Sequence, residues 1–281
     1  MTELHDAPCP APDGVARSYD HSRALLAEVT GGGLPLGYWR GHDRGTSVAD
    51  ATDATDALTG LVADRLALSP GMHVLDIGCG SGRPAVYVAQ TYDVRVTGVT
   101  IGSRQDGPVR ARPAAGEGRG PVTSERADGM ALPFPDGGFD AVYAIDSLLH
   151  MDDRARAIAE AARVLRPGGR LVLANPYVVG ALTVAEAGIV AAGRELLRMP
   201  PLGDAGDYLR HLGAAGLDIV EILDIGENVR RSHALAAAAI RHAGESQDGA
   251  SRQRLFEAAD IIERFGALPQ VSYGLIAARA R

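Results

Sequence analysis

The chain has 281 residues, enough for one large domain that buries about 75% of its unfolded surface without a disulfide or metal staple. Hydrophobic residues make up 46% and charged residues 22%, which excludes disorder along the whole chain. All 28 basic residues are arginine, against 35 acids, for a net charge of −7. The absence of lysine excludes a Schiff-base amine and a lysine-bearing phosphate loop, and an acidic chain is a poor match for nucleic acid or an anionic membrane.

The first fourteen residues are polar and proline-rich and read as a flexible tail. They lack a basic start and an apolar run, so no signal peptide is expected. Residues 17–29 are amphipathic and end at Gly31-Gly32-Gly33. The Gly37-Tyr38-Trp39 run follows. Apolar spacing at Leu58, Leu61, Val62 and Leu66 predicts a helix over 48–68, stopped by Ser69-Pro70-Gly71. Residues 15–69 are therefore read as an N-terminal helical segment, or lid.

From residue 70 the pattern alternates. Strands are predicted at 73–77, 94–100, 122–127, 139–145, 170–174, 217–223 and 271–278. Helices are predicted at 83–91, 153–165, 231–243 and 251–265. Strands alternating with helices predict an α/β fold with a doubly wound, mainly parallel seven-stranded sheet. The 102–121 segment stands where a crossover helix belongs, but Pro108, Pro113 and several glycines oppose one. Residues 177–212 interrupt the alternation and read as a helical lid inserted after the fifth strand. No apolar run reaches about 18 residues, so no membrane span is predicted. Cys9 and Cys79 make neither a disulfide framework nor a metal pair, which fits a reducing, cytoplasmic setting and a site without metal.

The strongest chemical signal is Val74-Leu75-Asp76-Ile77-Gly78-Cys79-Gly80-Ser81-Gly82. An apolar strand runs into glycines at alternate positions and then a helix, which lets a ligand approach the backbone and its N–H groups closely. Three readings are open: a tight turn with no ligand, a dinucleotide site, or a site for a cationic nucleoside. The dinucleotide fingerprint G-x-G-x-x-G places its third glycine one residue later. Asp76 repels a pyrophosphate but suits a ligand carrying an ammonium and a sulfonium. These features point to S-adenosylmethionine.

The run Val74–Gln105, with Ala127–His150 and Arg163–Ala174, resembles the class I S-adenosylmethionine-dependent methyltransferases. It is most similar to the small-molecule branch that includes natural-product sugar, tocopherol and prenyl-diphosphate methyltransferases. The pieces are Gly98-Val99-Thr100-Ile101 with Gln105, Asp128-Gly129-Met130-Ala131-Leu132-Pro133-Phe134, Phe139-Asp140-Ala141-Val142, Leu149-His150-Met151 and Leu165-Arg166-Pro167-Gly168-Gly169. The resemblance implies a Rossmann-like fold and methyl transfer to an O or N atom of a small secondary metabolite. It also leaves C-methylation of an isoprenoid or lipid open, and the related fold keeps an NAD(P)-dependent oxidoreductase as the alternative.

Site roles follow from the resemblance. The cofactor is assigned to Tyr38, Asp76, Gly78, Cys79, Gly80, Thr100, Ile101, Gln105, Asp128, Gly129, Met130 and Ile145. Thr100 and Gln105 take the ribose hydroxyls and Ile101 lies against the adenine. Asp128 accepts from the adenine amino group, and the N–H groups of Gly129 and Met130 face the ring. Asp128 as a turn cap is the competing reading. The end of the fourth strand, Ile145 and Asp146, borders the methionine moiety.

On the acceptor side stand Tyr19, Trp39, Asp146, Asn175 and Tyr177. Core packing is the alternative for Trp39. His150 is the candidate general base, with helix capping or packing under the loop as its alternatives. Asn175 occupies a place where similar sugar O-methyltransferases carry an Asp, and an amide cannot take a proton. The expected partners are a small-molecule acceptor and, at most, a second copy of the chain.

Overall fold

The computed structural model describes residues 36–40, 48–102, 120–247 and 249–281. The expectations for the 1–14 tail, the 17–29 helix, Tyr19, Gln105 and most of the 102–121 segment lie outside these residues.

The elements, in chain order, are α1 (Val48–Ala63), β1 (His73–Ile77), α2 (Arg83–Tyr92), β2 (Arg95–Thr100), β3 (Val122–Arg126) and β4 (Phe139–Ile145). A 3-10 turn (Leu148–His150) leads to α3 (Arg154–Val164) and β5 (Leu165–Val178). Then come α4 (Val184–Leu197), α5 (Ala205–Ala214), β6 (Leu217–Asp224), α6 (Gly226–Glu245), α7 (Gly249–Ala267) and β7 (Val271–Ala280). The seven strands lie in the order β3-β2-β1-β4-β5-β7-β6. Neighbours from β3 to β5 pair in parallel, while β7 runs antiparallel to both β5 and β6.

This order fixes where a ligand can sit. The chain leaves β1 toward β2 and β3, then returns to lay β4 on the other side of β1. A crevice opens at such a reversal, outside the carboxyl ends of the strands. The loop after β1 and the segment after β4 flank it.

Both sheet faces are covered. On one, Val74, Val96, Ala141, Tyr143, Val172 and Ala174 pack against Leu58 and Val62 of α1, Ala85 and Val88 of α2, and Val229 of α6. On the other, Leu75, Ile77, Val142, Leu171 and Leu173 meet Ile158, Ala161 and Val164 of α3 and Tyr208 and Leu212 of α5. Strands buried on both faces read as near-continuous apolar runs, and β1 is buried after its first residue with Asp76 as the one polar member.

Three differences from the sequence reading bear on the site. First, α1 ends at Ala63 rather than residue 68, and Ala67 takes a left-handed φ of 54°. Leu66 still reaches the core from the turn, which explains why helical spacing seemed to continue. Second, α1 is no separate lid, because Leu58 and Val62 belong to the sheet's own core.

Third, the insertion is shorter than 177–212. Strand β5 continues to Val178, where Tyr177 pairs with Ser272 and Val178 with Val271. Helix α5 is the crossover between β5 and β6, since Tyr208 and Leu212 bury against the sheet beside α3. What remains is about residues 179–204, carrying α4. That helix opens with a Thr183–Glu186 capping box and packs on α7, where a Cβ at Gly193 would lie 2.5 Å from the Phe265 ring.

Candidate active site

The β1–α2 loop is a tight cradle. Gly78, Gly80 and Gly82 take φ of 85°, 54° and 77°, the left-handed region that a side chain penalises. The N–H groups of Gly78 and Cys79 both donate to the Val99 carbonyl at the end of β2, at 2.9 and 3.0 Å. A Cβ on Gly78 would lie 2.2 Å from Ser147 Cβ, so the loop and the end of β4 touch. Cys79 is buried, and Gly98 on β2 makes its room, because a Cβ there would lie 2.7 Å from Sγ.

Asp76 is 2% exposed and accepts a 2.9 Å hydrogen bond from the Tyr143 hydroxyl on the paired strand. Burial pushes its carboxyl up to about 7, with Tyr143 pulling the other way. A raised carboxyl stabilises the fold fully below its unfolded value near 3.8. That contribution is lost as pH rises through about 7. At pH 8 the cofactor-free protein therefore holds a buried charge that a ligand ammonium would neutralise. Asp76→Asn is expected to raise the melting temperature of the cofactor-free protein at pH 8 by roughly 2–6 °C. It should weaken binding of S-adenosylhomocysteine, the probe for the cofactor expected from the sequence, at least tenfold. Thermal denaturation and calorimetry check this pair of opposite effects; a lowered melting temperature with unchanged affinity would refute it.

After β4 the chain turns sharply. Asp146 has φ 50°, and its carboxylate lies 2.9 Å from the Tyr273 hydroxyl of β7. Ser147 is 7% exposed, and its Oγ has no partner among the described residues. His150 ends the 3-10 turn, with its Nδ1 sequestered from solvent. Desolvation pushes its pKa down to about 4, opposed by a hydrogen bond to the backbone of Arg198 at the end of α4. The imidazole is neutral at any pH well above 4. The capping alternative fails: Asp153 caps α3 by accepting from the Arg156 N–H. Arg154 also braces this turn, donating to the carbonyls of Leu148 (3.1 Å) and Pro201 (2.7 Å).

The adenine side is partly corrected. Asp128 does cap a turn, for its Oδ1 accepts from the Met130 N–H at 2.8 Å. The Met130 amide is thereby engaged within the loop rather than aimed at a ligand. Gly129 is closely covered, since a Cβ would lie 2.6 Å from Met151 Cε and 3.0 Å from Ile77 Cγ2. Thr100 ends β2 half-buried, with Ile101 half-buried beside it. Thr100 Oγ1 accepts from the Gly102 N–H at 3.4 Å.

Trp39, expected at the acceptor, is a core residue at 6% exposure. Its Nε1 donates to Ser232 Oγ (3.0 Å), its backbone pairs with Asn228, and the Arg231 guanidinium lies 4.7 Å from its ring centroid. Ser232 also accepts from Gly37 N–H at 2.9 Å, so α6 takes up both the indole and the chain that carries it. Tyr38 stays half-buried against α1, its N–H donating to Ala54.

Tyr177 spends its hydroxyl on Asp224 (2.8 Å) and lays its ring over Gly274. Asn175 is 3% exposed, and neither amide atom has a partner among the described residues. It lines a small cavity with Leu173, Tyr177, Tyr208 and Ile276. Ile145 is half-buried and packs on the sheet core.

Sequence reasoning missed Tyr143, Ser147 and Tyr273. A tyrosine inside an otherwise apolar strand was the available signal, because a buried hydroxyl needs a partner.

A reversed sheet order, a left-handed glycine loop at the reversal and a buried carboxyl beneath it place a ligand crevice of the nucleotide-binding α/β kind at the ends of β1 and β4. A family model described as "Methyltransferase domain" matches residues 75–173. The O-methyltransferase cnsE of Penicillium expansum is 37% identical over 269 residues, covering 96% of this chain and 93% of that protein. The 27-O-demethylrifamycin SV methyltransferase of Amycolatopsis mediterranei is 36% identical, covering 96% and 98%. Among solved structures, the [4+2]-cyclase SpnF superposes with TM-score 0.80 at 29% identity, over 98% and 97% of the two chains. The chain belongs to the class I S-adenosylmethionine-dependent methyltransferases, and S-adenosylmethionine is its cofactor. The nicotinamide alternative is set aside.

The residues present fit that cofactor. Gly78, Gly80 and Gly82 hold a left-handed turn that a ligand could approach closely, Ser147 would offer a buried hydroxyl beside it, and Asp76 would offer a carboxylate to an ammonium. No cluster of three or more His, Cys, Asp or Glu suited to a metal occurs among the described residues. Nor is any described helix long and apolar enough to cross a membrane.

Proposed function

We propose that this chain methylates a hydroxyl oxygen of a small secondary metabolite, with His150 as general base. The observation that carries the reading is a neutral, desolvated imidazole after β4, in the segment that touches the glycine cradle. Relatives named as O-methyltransferases, at 35–38% identity, support oxygen over nitrogen. The cofactor, when bound, supplies an electrophilic methyl group on a sulfonium.

In this reading Asp76, the Gly78–Gly82 backbone and Ser147 hold the amino-acid end of the cofactor. Thr100 and Gln105 hold the ribose, Ile101 and Gly129 flank the adenine, and Asp128 uses its second oxygen for the adenine amine. Cys79 lines the loop from below, and Ile145 and Tyr38 close the apolar sides. His150 accepts the hydroxyl proton of the acceptor on the ring nitrogen that does not face Arg198. Its low pKa keeps it unprotonated but makes it a weak base, so proton transfer accompanies methyl transfer rather than preceding it. Asn175 borders the acceptor, and Asp146 stands with Ile145 at the methionine end of the cofactor, where the acceptor meets it. Asn175 has unspent hydrogen-bonding capacity, as does the Tyr208 hydroxyl in the same small cavity.

The test is incubation with S-adenosylmethionine and an extract of the producing cell, read by mass. A product gaining one methyl group on oxygen supports the reading; methylation only at nitrogen or carbon overturns it. The likeness to SpnF adds a second outcome to look for, a product of unchanged mass but altered ring connectivity.

A further inference from the structure

We infer that Tyr273 is a positioning residue: from the antiparallel strand β7 it holds the Asp146 carboxyl at the cofactor end of β4. This inference rests on the cofactor site assigned above.

Strand alternation shows why a holder is needed. Ala141 and Tyr143 point to the α1/α2/α6 face, with Ile145 packed on that side, while Val142 and Ala144 point to the other. A continued strand would send Asp146 toward α3 and α5. Instead its left-handed φ of 50° swings the side chain back to Tyr273, which belongs to the α1/α2/α6 face. That backbone carries a modest cost for a residue other than glycine, and the contacts around Asp146 hold it there.

The surroundings form a closed ring. The Asp146 N–H donates to the Ala174 carbonyl at 3.0 Å. The Tyr273 hydroxyl lies 3.0 Å from that same carbonyl and 2.9 Å from Asp146 Oδ1. Backbone and side chain of Asp146 are thus fastened to one tyrosine and one carbonyl. Tyr273 is itself immobilised at 2% exposure.

One hydroxyl proton serves two oxygens. Both hydrogen bonds are complete together when Asp146 is protonated and donates to Tyr273, which then donates to Ala174. When Asp146 is ionised, Tyr273 turns its proton to the carboxylate. The hydroxyl therefore serves either charge state, and a cofactor cation nearby selects the ionised one. Burial, which pushes Asp146 up to about 7, places that choice in the working pH range. The titratable groups facing the pair are Tyr208 of α5, which acts on Tyr273, and Tyr273 itself on Asp146. The Asp76–Tyr143 pair repeats the arrangement at the end of β1.

The experiment is S-adenosylhomocysteine binding by calorimetry from pH 6 to 8.5, with steady-state kinetics once an acceptor is known. Tyr273→Phe keeps the buried ring and removes the hydroxyl. It is expected to weaken binding about tenfold, with the loss in KM for the cofactor rather than for the acceptor. The pH midpoint of binding should move upward, because the hydroxyl that favours the carboxylate is gone. Affinity and midpoint within twofold of wild type would overturn the inference.

Asp146→Ala, which removes the oxygen that Tyr273 holds, separates positioning from folding. In that background, adding Tyr273→Phe should change neither affinity nor pH profile. A further tenfold loss in the double variant would mean that Tyr273 acts on stability alone and would also overturn it. Wild-type protein that binds no S-adenosylhomocysteine would instead bring down the cofactor-site assignment, and this inference with it.

Discussion

His150→Ala is expected to lower kcat by about 10²–10⁴ on a hydroxyl acceptor while leaving S-adenosylhomocysteine affinity within a factor of about two. The range follows from the role. A base that takes a proton in the transition state contributes this much, whereas a residue that only lines the pocket changes KM. The pH dependence discriminates further. Burial holds the His150 pKa at about 4, so its loss of function through protonation sets in only as pH falls toward that value. A wild-type acid limb centred near 6.5 would mean that His150 titrates as if in water and is not the desolvated base described above. A variant rate within a few-fold of wild type would remove the base assignment outright and leave positioning and desolvation as the source of catalysis. Calorimetry of the variant guards against a trivial cause, since the Arg154 brace on Leu148 and Pro201 does not involve the imidazole and should keep the turn in place.

Gly80→Val should abolish measurable S-adenosylhomocysteine binding, a loss of more than about a hundredfold. Two effects add. A β-branched residue at φ 54° is strained, costing roughly 1–2 kcal/mol or more. In the proposed site its side chain would also stand where the cofactor approaches the loop backbone. The fold should survive, because the loop's ties to Val99 run through Gly78 and Cys79 rather than Gly80. A folded variant with wild-type affinity would show that the cofactor does not cross this loop. The neighbouring glycine behaves differently: a Cβ at Gly78 collides with Ser147, so a substitution there disturbs the fold as well as the site.

Much of this site is local in sequence and was legible for that reason. An apolar run ending in Asp76, followed by glycines at alternate positions, requires only a strand, a turn and a helix in succession. His150 follows β4 directly, so its place at the crevice needs no long-range contact. Turn chemistry limited the adenine side: Asp128 binds the amide two residues on, as aspartates in turns do, and this cost Met130 its expected role. Trp39 was ambiguous because an aromatic residue in a connecting segment reads alike as lid or as core. Its Nε1 partner, Ser232, is 193 residues away.

The amino-acid sequence by itself determined the alternating α/β order, the glycine cradle at the end of β1 and the imidazole after β4. Each depends on periodicity and turn residues within about a dozen positions. Only the tertiary structure decided that β7 runs antiparallel between β5 and β6, that α5 is a crossover helix rather than lid, and that Tyr143 and Tyr273 reach Asp76 and Asp146. Those partners lie 67 and 127 residues apart. A hydrogen bond across such a distance is set by sheet order and register, which the burial of both faces selects and no local pattern encodes.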